Sequence, residues 1–394
     1  MNKKLLAVAI GAALTAPMYA ANAAVTVGGQ AHLSADYVDQ FDGGTSTDSH
    51  KVWNISSNVS NIFFKGEEDL GGGLKGVFFL QEYFRLDNNG GAAPTSATGA
   101  SNRMFDAPAY AGLSSSSFGS ILLGNMDGPA KLNGRAVDLF GNQIGDSRNV
   151  GADNTRFQNA IAYVSPTFVG ITATLAHSTN VDNTIAAPDA ATAGATPAAK
   201  QLYGTAIGVK WENGPVMVGG TYTMVNDRLS TAGATYKTTD LYNVAASFKF
   251  AGARIVGFYQ GGTAYSVVAG PTGTINNGTM NNTDGSDSSV YGLGASYTFG
   301  SETITAQWYS LTNKATGKSD ISSNVYALGY DHAFSKTFTG YVAVAFASND
   351  AGSATTAVAN NNAGMSAGGG HGDQPANVNG GDQNGLSLGI IYNF

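Results

Sequence analysis

The 394-residue chain contains no cysteine, so neither a disulfide nor a thiolate metal site contributes to its fold. Beyond the N-terminal segment it also lacks the run of about 18 apolar residues that a spanning helix requires, although 43% of its residues are hydrophobic. Charged residues make up only 12%, about half of the usual share. Any insertion into a membrane must therefore use strands rather than helices.

The charge balance of the chain is acidic. The formal net charge is -7, and removal of the N-terminal segment with Lys3 and Lys4 would make it -7 - 2 = -9. Because such a chain repels the phosphate backbone, we expect no nucleic-acid partner. The 53 glycines are near twice the usual frequency. Together with polar loops and aromatic strands, they are typical of a barrel rather than a helical enzyme.

Residues 1–23 have the layout of a secretory signal peptide. Two lysines precede an apolar run over residues 5–14, and Ala21-Asn22-Ala23 is a small-x-small cleavage site. Since the run is too short to span a bilayer, we expect export, with cleavage after Ala23 or, alternatively, after Ala20. Residues 24–394 show no internal boundary and are predicted to form one domain.

Both ends of the mature chain alternate between two kinds of side chain. Residues 25–37 place small or apolar side chains at odd positions and mainly polar ones at even positions. This pattern predicts a strand with one face toward lipid and the other toward water. Residues 386–394 alternate in the same way and end on Phe394. A terminal strand leaves an open sheet edge, which pairing with the first strand would remove.

Predicted strands between these ends are joined alternately by short turns and long polar loops. The short turns are at residues 212–215, 250–253, 299–301 and 333–335, and the long loops are near residues 178–200, 226–237, 261–288, 311–322 and 349–383. Short turns on one side and long loops on the other are typical of outer-membrane barrels. We predict an all-β transmembrane antiparallel β-barrel of about sixteen strands, which leaves room for an aqueous channel.

Four segments resemble the Gram-negative general porin family. They are residues 61–80, which predict a hairpin with a glycine turn at residues 69–73, then residues 109–124, residues 163–170 and the terminal Phe394. The resemblance implies a trimeric outer-membrane porin: a water-filled channel for passive diffusion of ions and small hydrophilic solutes. It also implies contact with outer-membrane lipid and lipopolysaccharide, and insertion by the barrel assembly machinery, for which Phe394 is the assembly signal.

The resemblance further implies where the channel narrows. In this family the third outer loop folds into the barrel, and here it should span residues 125–154. The expected pore-constriction residues are Lys65, Arg85, Arg103, Asp127, Asp138, Asp146 and Arg148. Strand parity adds Gln30, His32, Asp36 and Gln81 as pore-lining residues.

The ion preference is expected to be weak. Asn61 and Ala107 stand where porins often have arginines, and Gln81 stands where a glutamate is common. Because the mature chain is net acidic, we expect a slight preference for cations. We predict no enzyme activity, no metal and no cofactor. Two alternatives stay open: a solute-specific channel with a binding site in its loops, and a barrel that serves as a surface adhesion or structural protein.

Overall fold

The computed structural model describes residues 24–40, 50–87, 104–105, 107–181, 202–227, 238–263, 287–314, 320–350 and 382–394. The predicted signal peptide and Arg103 lie outside these residues. The strands are β1 Ala24–Gln40, β2 His50–Ser57, β3 Asn61–Gly71, β4 Leu74–Tyr83, β5 Ala109–Ser115, β6 Gly119–Asp127, β7 Arg156–Val164, β8 Ile171–Val181, β9 Leu202–Asn213, β10 Val216–Asp227, β11 Thr238–Phe250, β12 Ala253–Thr263, β13 Asp287–Phe299, β14 Glu302–Lys314, β15 Ile321–Ala333, β16 Phe338–Asn349 and β17 Gln383–Asn393. An α-helix, α1 Pro129–Arg135, and a 3-10 helix, Ser147–Val150, lie between β6 and β7. Within the described ranges, no helix is long and apolar enough to cross a membrane.

The strands form one closed antiparallel sheet. β2 and β3 pair with successive parts of β1, so together they act as one barrel strand, interrupted at residues 58–60 where Val59 has a left-handed φ of 58°. β1 also pairs with β17, from Gln30 opposite Asn393 to Gln40 opposite Gln383. The seventeen strands described here therefore make a sixteen-stranded barrel, as predicted, and closure leaves no free edge.

The two faces of the barrel differ in chemistry. On β17, Leu388 and Ile390 are exposed on the outside, whereas Ser387 is fully buried on the inside. On β1, His32 and Asp36 are likewise buried on the inner face. Exposed aliphatic and aromatic side chains recur on the outer face of nearly every strand. Such a continuous apolar exterior is suited to lipid rather than to water.

The short connections follow the prediction. β9 and β10, β11 and β12, β13 and β14, and β15 and β16 are joined by two to four residues. Three of these turns place a glycine in the left-handed region, Gly214 with φ 57°, Gly252 with φ 85° and Gly300 with φ 63°. The predicted long loops join the opposite ends of these strands, and most of their residues lie outside the described ranges.

Residues 128–155, which we call the constriction loop, fold into the barrel. The helix α1 contacts β9, β10 and β11, and the 3-10 helix contacts β14 and β15. Phe140, Ile144 and Val150 of the loop are buried in one cluster with Val256 and Tyr309 of the barrel wall. Burying a large apolar side chain stabilises a fold by about 1.5 to 3 kcal/mol relative to leaving it exposed. The three buried side chains of the loop therefore favour its inward position.

Candidate pore constriction

The constriction loop begins with a short helix whose first turn is favoured by the local sequence. Gly128 precedes α1 and Pro129 occupies its first turn, where a missing N–H has no cost. The helix stops at Arg135, and the guanidinium of Arg254 on β12 donates to the carbonyl oxygen of Ala136 at 2.5 Å. A cation at a helix C-terminus complements its unpaired carbonyls. The wall therefore fixes the end of α1.

Three buried amides of the barrel wall hold the backbone of the loop. Asn243 on β11 donates to the carbonyl of Ala130 at 2.8 Å. Gln260 on β12 accepts from the N–H of Asp153 at 2.8 Å and donates to the carbonyl of Gly151 at 3.0 Å. Gln307 on β14 accepts from the N–H of Leu139 at 2.7 Å and donates to the carbonyl of Val137 at 3.2 Å. An amide side chain satisfies a donor and an acceptor at once, so each anchors the loop at a defined depth.

Four charged side chains of the loop form a closed ion network. Arg135 donates to Asp138 at 2.7 Å and to Asp146 at 2.8 Å, and Arg148 donates to Asp146 at 2.5 Å. Both carboxylates are fully enclosed, and Asn142 accepts from both arginines. Burial alone would raise the pKa of Asp146. The guanidinium groups of Arg135 and Arg148 nevertheless hold the pKa of Asp146 well below its usual range.

Asp138 has the opposite electrostatic environment. Burial and the adjacent negative charge of Asp146 raise the pKa of Asp138 to about 6, against the attraction of Arg135. Asp138 also accepts from the hydroxyl of Ser147 at 2.9 Å and from its N–H at 3.2 Å. Asp138 and Asp146 thus share two arginines unequally, and Asp138 is the one that protonates in mildly acidic solution.

A second charged cluster joins the loop to β6 and β7, the two strands that it connects. Asp127, at the end of β6, accepts from Lys131 of α1 at 2.7 Å and from Arg156 of β7 at 3.2 Å. The Arg156 guanidinium lies 5.7 Å from the ring centroid of Tyr83 on β4, within cation–π range. The sequence predicts Asp127 as a constriction residue but gives no comparable signal for Tyr83. For Arg156, the one indication in the sequence is its position as the first strand residue after the loop.

The structure brings only some of the predicted residues together. Asp138, Asp146 and Arg148 lie in one ion network and Asp127 in the other. Lys65 on β3 is exposed on the inner face nearer the hairpin turn. Arg85, just after β4, pairs with Asp87 at 3.1 Å. Their predicted roles in the constriction stay predictions, as does that of Arg103.

The predicted pore-lining residues lie on the inner face of β1 and β4. Gln30 donates to Asn393 at 3.0 Å, and Gln81 donates to Asn61 at 2.9 Å. The ring of His32 contacts the hydroxyl of Tyr341 at 3.0 Å, and Asp36 accepts from Ser34 at 2.9 Å. The terminal Phe394 lies on the outer face beside β1. The structure places these four residues on the inner face, and their role as pore-lining residues stays a prediction.

A closed barrel with an apolar exterior, a polar interior and an inward-folded charged loop defines a transmembrane pore of the porin class. The Gram-negative porin family model matches residues 6–352, and the chain belongs to that family. It is an outer-membrane channel through which ions and small hydrophilic solutes diffuse passively.

Relatives and solved structures agree with this assignment. The chain is 29% identical over 377 residues to an outer membrane porin protein of Bordetella pertussis, covering 89% of this chain and 95% of the relative. Its fold is similar to that of an anion-selective porin from Comamonas acidovorans, with TM-score 0.68 and 24% identity over 95% of this chain and 100% of that one. A trimer form of OmpT from Vibrio cholerae has TM-score 0.60 and 13% identity over 94% and 99% of the two chains.

Proposed function

We propose that this porin conducts with a weak preference for anions, contrary to the expectation from its net charge. In the ion pairs Arg135 with Asp138 and Arg85 with Asp87, the guanidinium is partly exposed and the carboxylate is enclosed. The exposed fractions for the first pair are 25% and 0%.

An enclosed carboxylate has less influence on a passing ion than a cation at the surface, because the solute meets the exposed charge at a shorter distance. Lys65 adds an exposed cation on the inner wall, and among the described residues it forms no ion pair. The net charge of the chain is dominated by acidic residues, but these affect ion selectivity only where they border the channel. The expected preference is weak because Asp127, 20% exposed, faces the same region.

The proposal extends to assembly and to chemistry. The protein forms a homotrimer, as the family resemblance implies and as OmpT of Vibrio cholerae does in its trimer form. Phe394 serves as the signal recognised by the barrel assembly machinery, and the outer face contacts lipid and lipopolysaccharide. Transport is passive, with no catalytic step, metal or cofactor.

The experiment is single-channel recording of the purified, unheated protein in a planar bilayer with a potassium chloride gradient. Current steps in groups of three that scale with salt would support a trimeric water-filled pore. A zero-current potential displaced slightly toward that of chloride would support the anion preference, and a displacement toward that of potassium would refute it. Correctly folded protein that gives no current would overturn the channel hypothesis and favour a plugged or adhesive barrel.

A further inference from the structure

Three aromatic rings stand side by side across the strands β3, β4 and β5. The ring centroids of Phe63 and Phe79 are 5.7 Å apart with an interplanar angle of 24°, and those of Phe79 and Tyr110 are 5.6 Å apart at 26°. All three side chains are half-buried. We call these three residues the aromatic row; nothing in the constriction described above accounts for them.

The register of the sheet places the aromatic row on the inner face. Phe63 is opposite Gly28 and Gln81, Phe79 is opposite Lys65, and Tyr110 is opposite Phe79. Gln81 and Tyr83 follow Phe79 on β4 at intervals of two residues, and Tyr83 contacts Arg156 at the constriction. Side chains two apart on a strand share a face, so Phe79, Gln81 and Tyr83 all point into the barrel.

Lipid cannot explain aromatic side chains on this face. Interfacial aromatic girdles belong to the outer surface, where Phe78 lies on the same strand. Phe78 packs over Gly66, the outward residue next to Lys65. Stacked rings also turn their positively polarised edges toward the open side, and these edges attract π-faces and negative charge. The row therefore presents an apolar strip that is suited to a flat, electron-rich group.

A cation lies directly beside this strip. The Nζ of Lys65 is 5.7 Å from the ring centroid of Phe63, and Lys65 is opposite the central ring, Phe79. Its side chain is exposed, and within the described residues no carboxylate pairs with it. An ammonium next to an apolar strip is complementary to an anionic solute with an aromatic ring.

We propose that the aromatic row and Lys65 form a weak binding site for small aromatic carboxylates on their way through the channel. The ring of the solute contacts the edges of Phe63, Phe79 and Tyr110, and its carboxylate pairs with Lys65. The site makes the channel favour benzoate-like solutes over aliphatic acids of equal charge and size. This inference rests on the proposed passive channel and adds a solute class to it.

The test compares two acids that differ only in the flat ring. Potassium chloride current through single channels is recorded while benzoate or cyclohexanecarboxylate is added, and the half-blocking concentration is obtained from current noise. We expect benzoate to block at a concentration about two- to tenfold lower, from the strength of aromatic pairing. F79L should bring this ratio close to one. F78L, on the lipid face of the same strand, should leave it unchanged.

A second variant tests the charge. K65Q changes an exposed side chain, and we expect it to raise the half-blocking concentration of both acids by about two- to fivefold without changing their ratio. Equal block by the two acids in the wild-type channel, or equal effects of F79L and F78L, would overturn the site while leaving the porin intact. Folded protein that carries no chloride current would overturn the proposed channel, and with it the site.

Discussion

At the scale of single residues, two carboxyl groups inside the constriction loop differ in pKa. Asp138 and Asp146 are both fully enclosed and share Arg135 at 2.7 and 2.8 Å. Two carboxylates at such a short distance repel each other, so the negative charge of one raises the pKa of the other. One carboxyl group therefore stays ionised while the other, Asp138, has a pKa of about 6. The loop can gain one unit of positive charge near neutral pH.

This difference predicts a pH-dependent ion preference. Because the pKa of Asp138 is raised, the group is charged above about pH 6 and neutral below it. Lowering the pH from about 7.5 to about 5 should therefore leave Arg135 less compensated and increase the preference for chloride. Reversal potentials measured across this range should show a step centred near pH 6.

D138N is the matching variant, because asparagine resembles the protonated acid in charge. At neutral pH it should already show the chloride preference that the wild-type channel has in acid, and the step should disappear. D350N, which removes an exposed carboxylate at the end of β16, should retain the step. A wild-type profile that is flat across this range would contradict the assigned role of Asp138.

At the scale of elements, the position of the constriction loop depends on amides that point inward from separate strands. Asn243, Gln260 and Gln307 are nearly fully buried and bond to five backbone groups of the loop and of α1. Leaving a buried backbone group unpaired costs about 1 to 3 kcal/mol. The free energy contributed by a few such hydrogen bonds is comparable with that of the apolar packing that holds the loop inside the barrel.

Removing two of these anchors should widen the channel. In Q260A/Q307A, four hydrogen bonds to the loop backbone are lost, so the loop should leave the wall part of the time. We expect a larger mean conductance and more current noise, with the barrel still resistant to unfolding in detergent at room temperature. N384A, which truncates an exposed amide on the outer face of β17, is the control. Unchanged conductance in the double variant would show that packing alone holds the loop.

Close packing of the loop against the wall gives another test. A Cβ on Gly145 would lie 2.4 Å from the Cβ of Ala327 on β15 and 2.9 Å from the ring of Phe140. G145A should therefore displace the tip of the loop into the channel and reduce the conductance. G220A is a suitable control, because a Cβ at Gly220 meets no atom within 4 Å. Equal conductance in the two variants would mean that the wall yields to the methyl group.

At the scale of the whole molecule, closure of the barrel joins β1 to the last residue of the chain. Gly29 donates to the carbonyl of Phe394 at 2.9 Å, and Phe394 donates back to Gly29 at 3.1 Å. The preceding residue, Asn393, donates to Thr337 at 2.8 Å. The final strand thus pairs on both sides to its last residue, so within the described residues β17 is not an open edge at which another chain could add.

The side chain of Phe394 should matter for assembly more than for final stability. It is half exposed on the outer surface and its backbone bonds do not require the ring. F394A should therefore lower the yield of folded protein in the outer membrane, seen as loss of the heat-modifiable band on gels, while the protein that does fold conducts normally. F250A removes an exposed ring at the same end of the barrel and should not lower the yield. Equal yields would show that Phe394 is not an assembly signal.

The sequence by itself determined the barrel and its inside-outside pattern. Alternation over residues 25–37 and 386–394 is a local property, because successive side chains of a strand point to opposite faces wherever the strand lies. The turn glycines, such as Gly300, are also local, since a left-handed φ is a property of one residue. Hence strands, short turns and the porin resemblance could all be predicted before any contact was known.

Only the tertiary structure decided which charges meet and which are hidden. Asp127 and Arg156 are 29 residues apart, and Gln307 reaches a loop about 170 residues earlier in the chain. No local periodicity encodes such pairings, because they depend on where barrel closure and loop insertion bring separate strands. The enclosure of Asp138 and Asp146, on which the proposed reversal of the ion preference rests, is decided at the same level. Net charge is a sum over residues, whereas selectivity depends on the few charges that remain exposed to the channel.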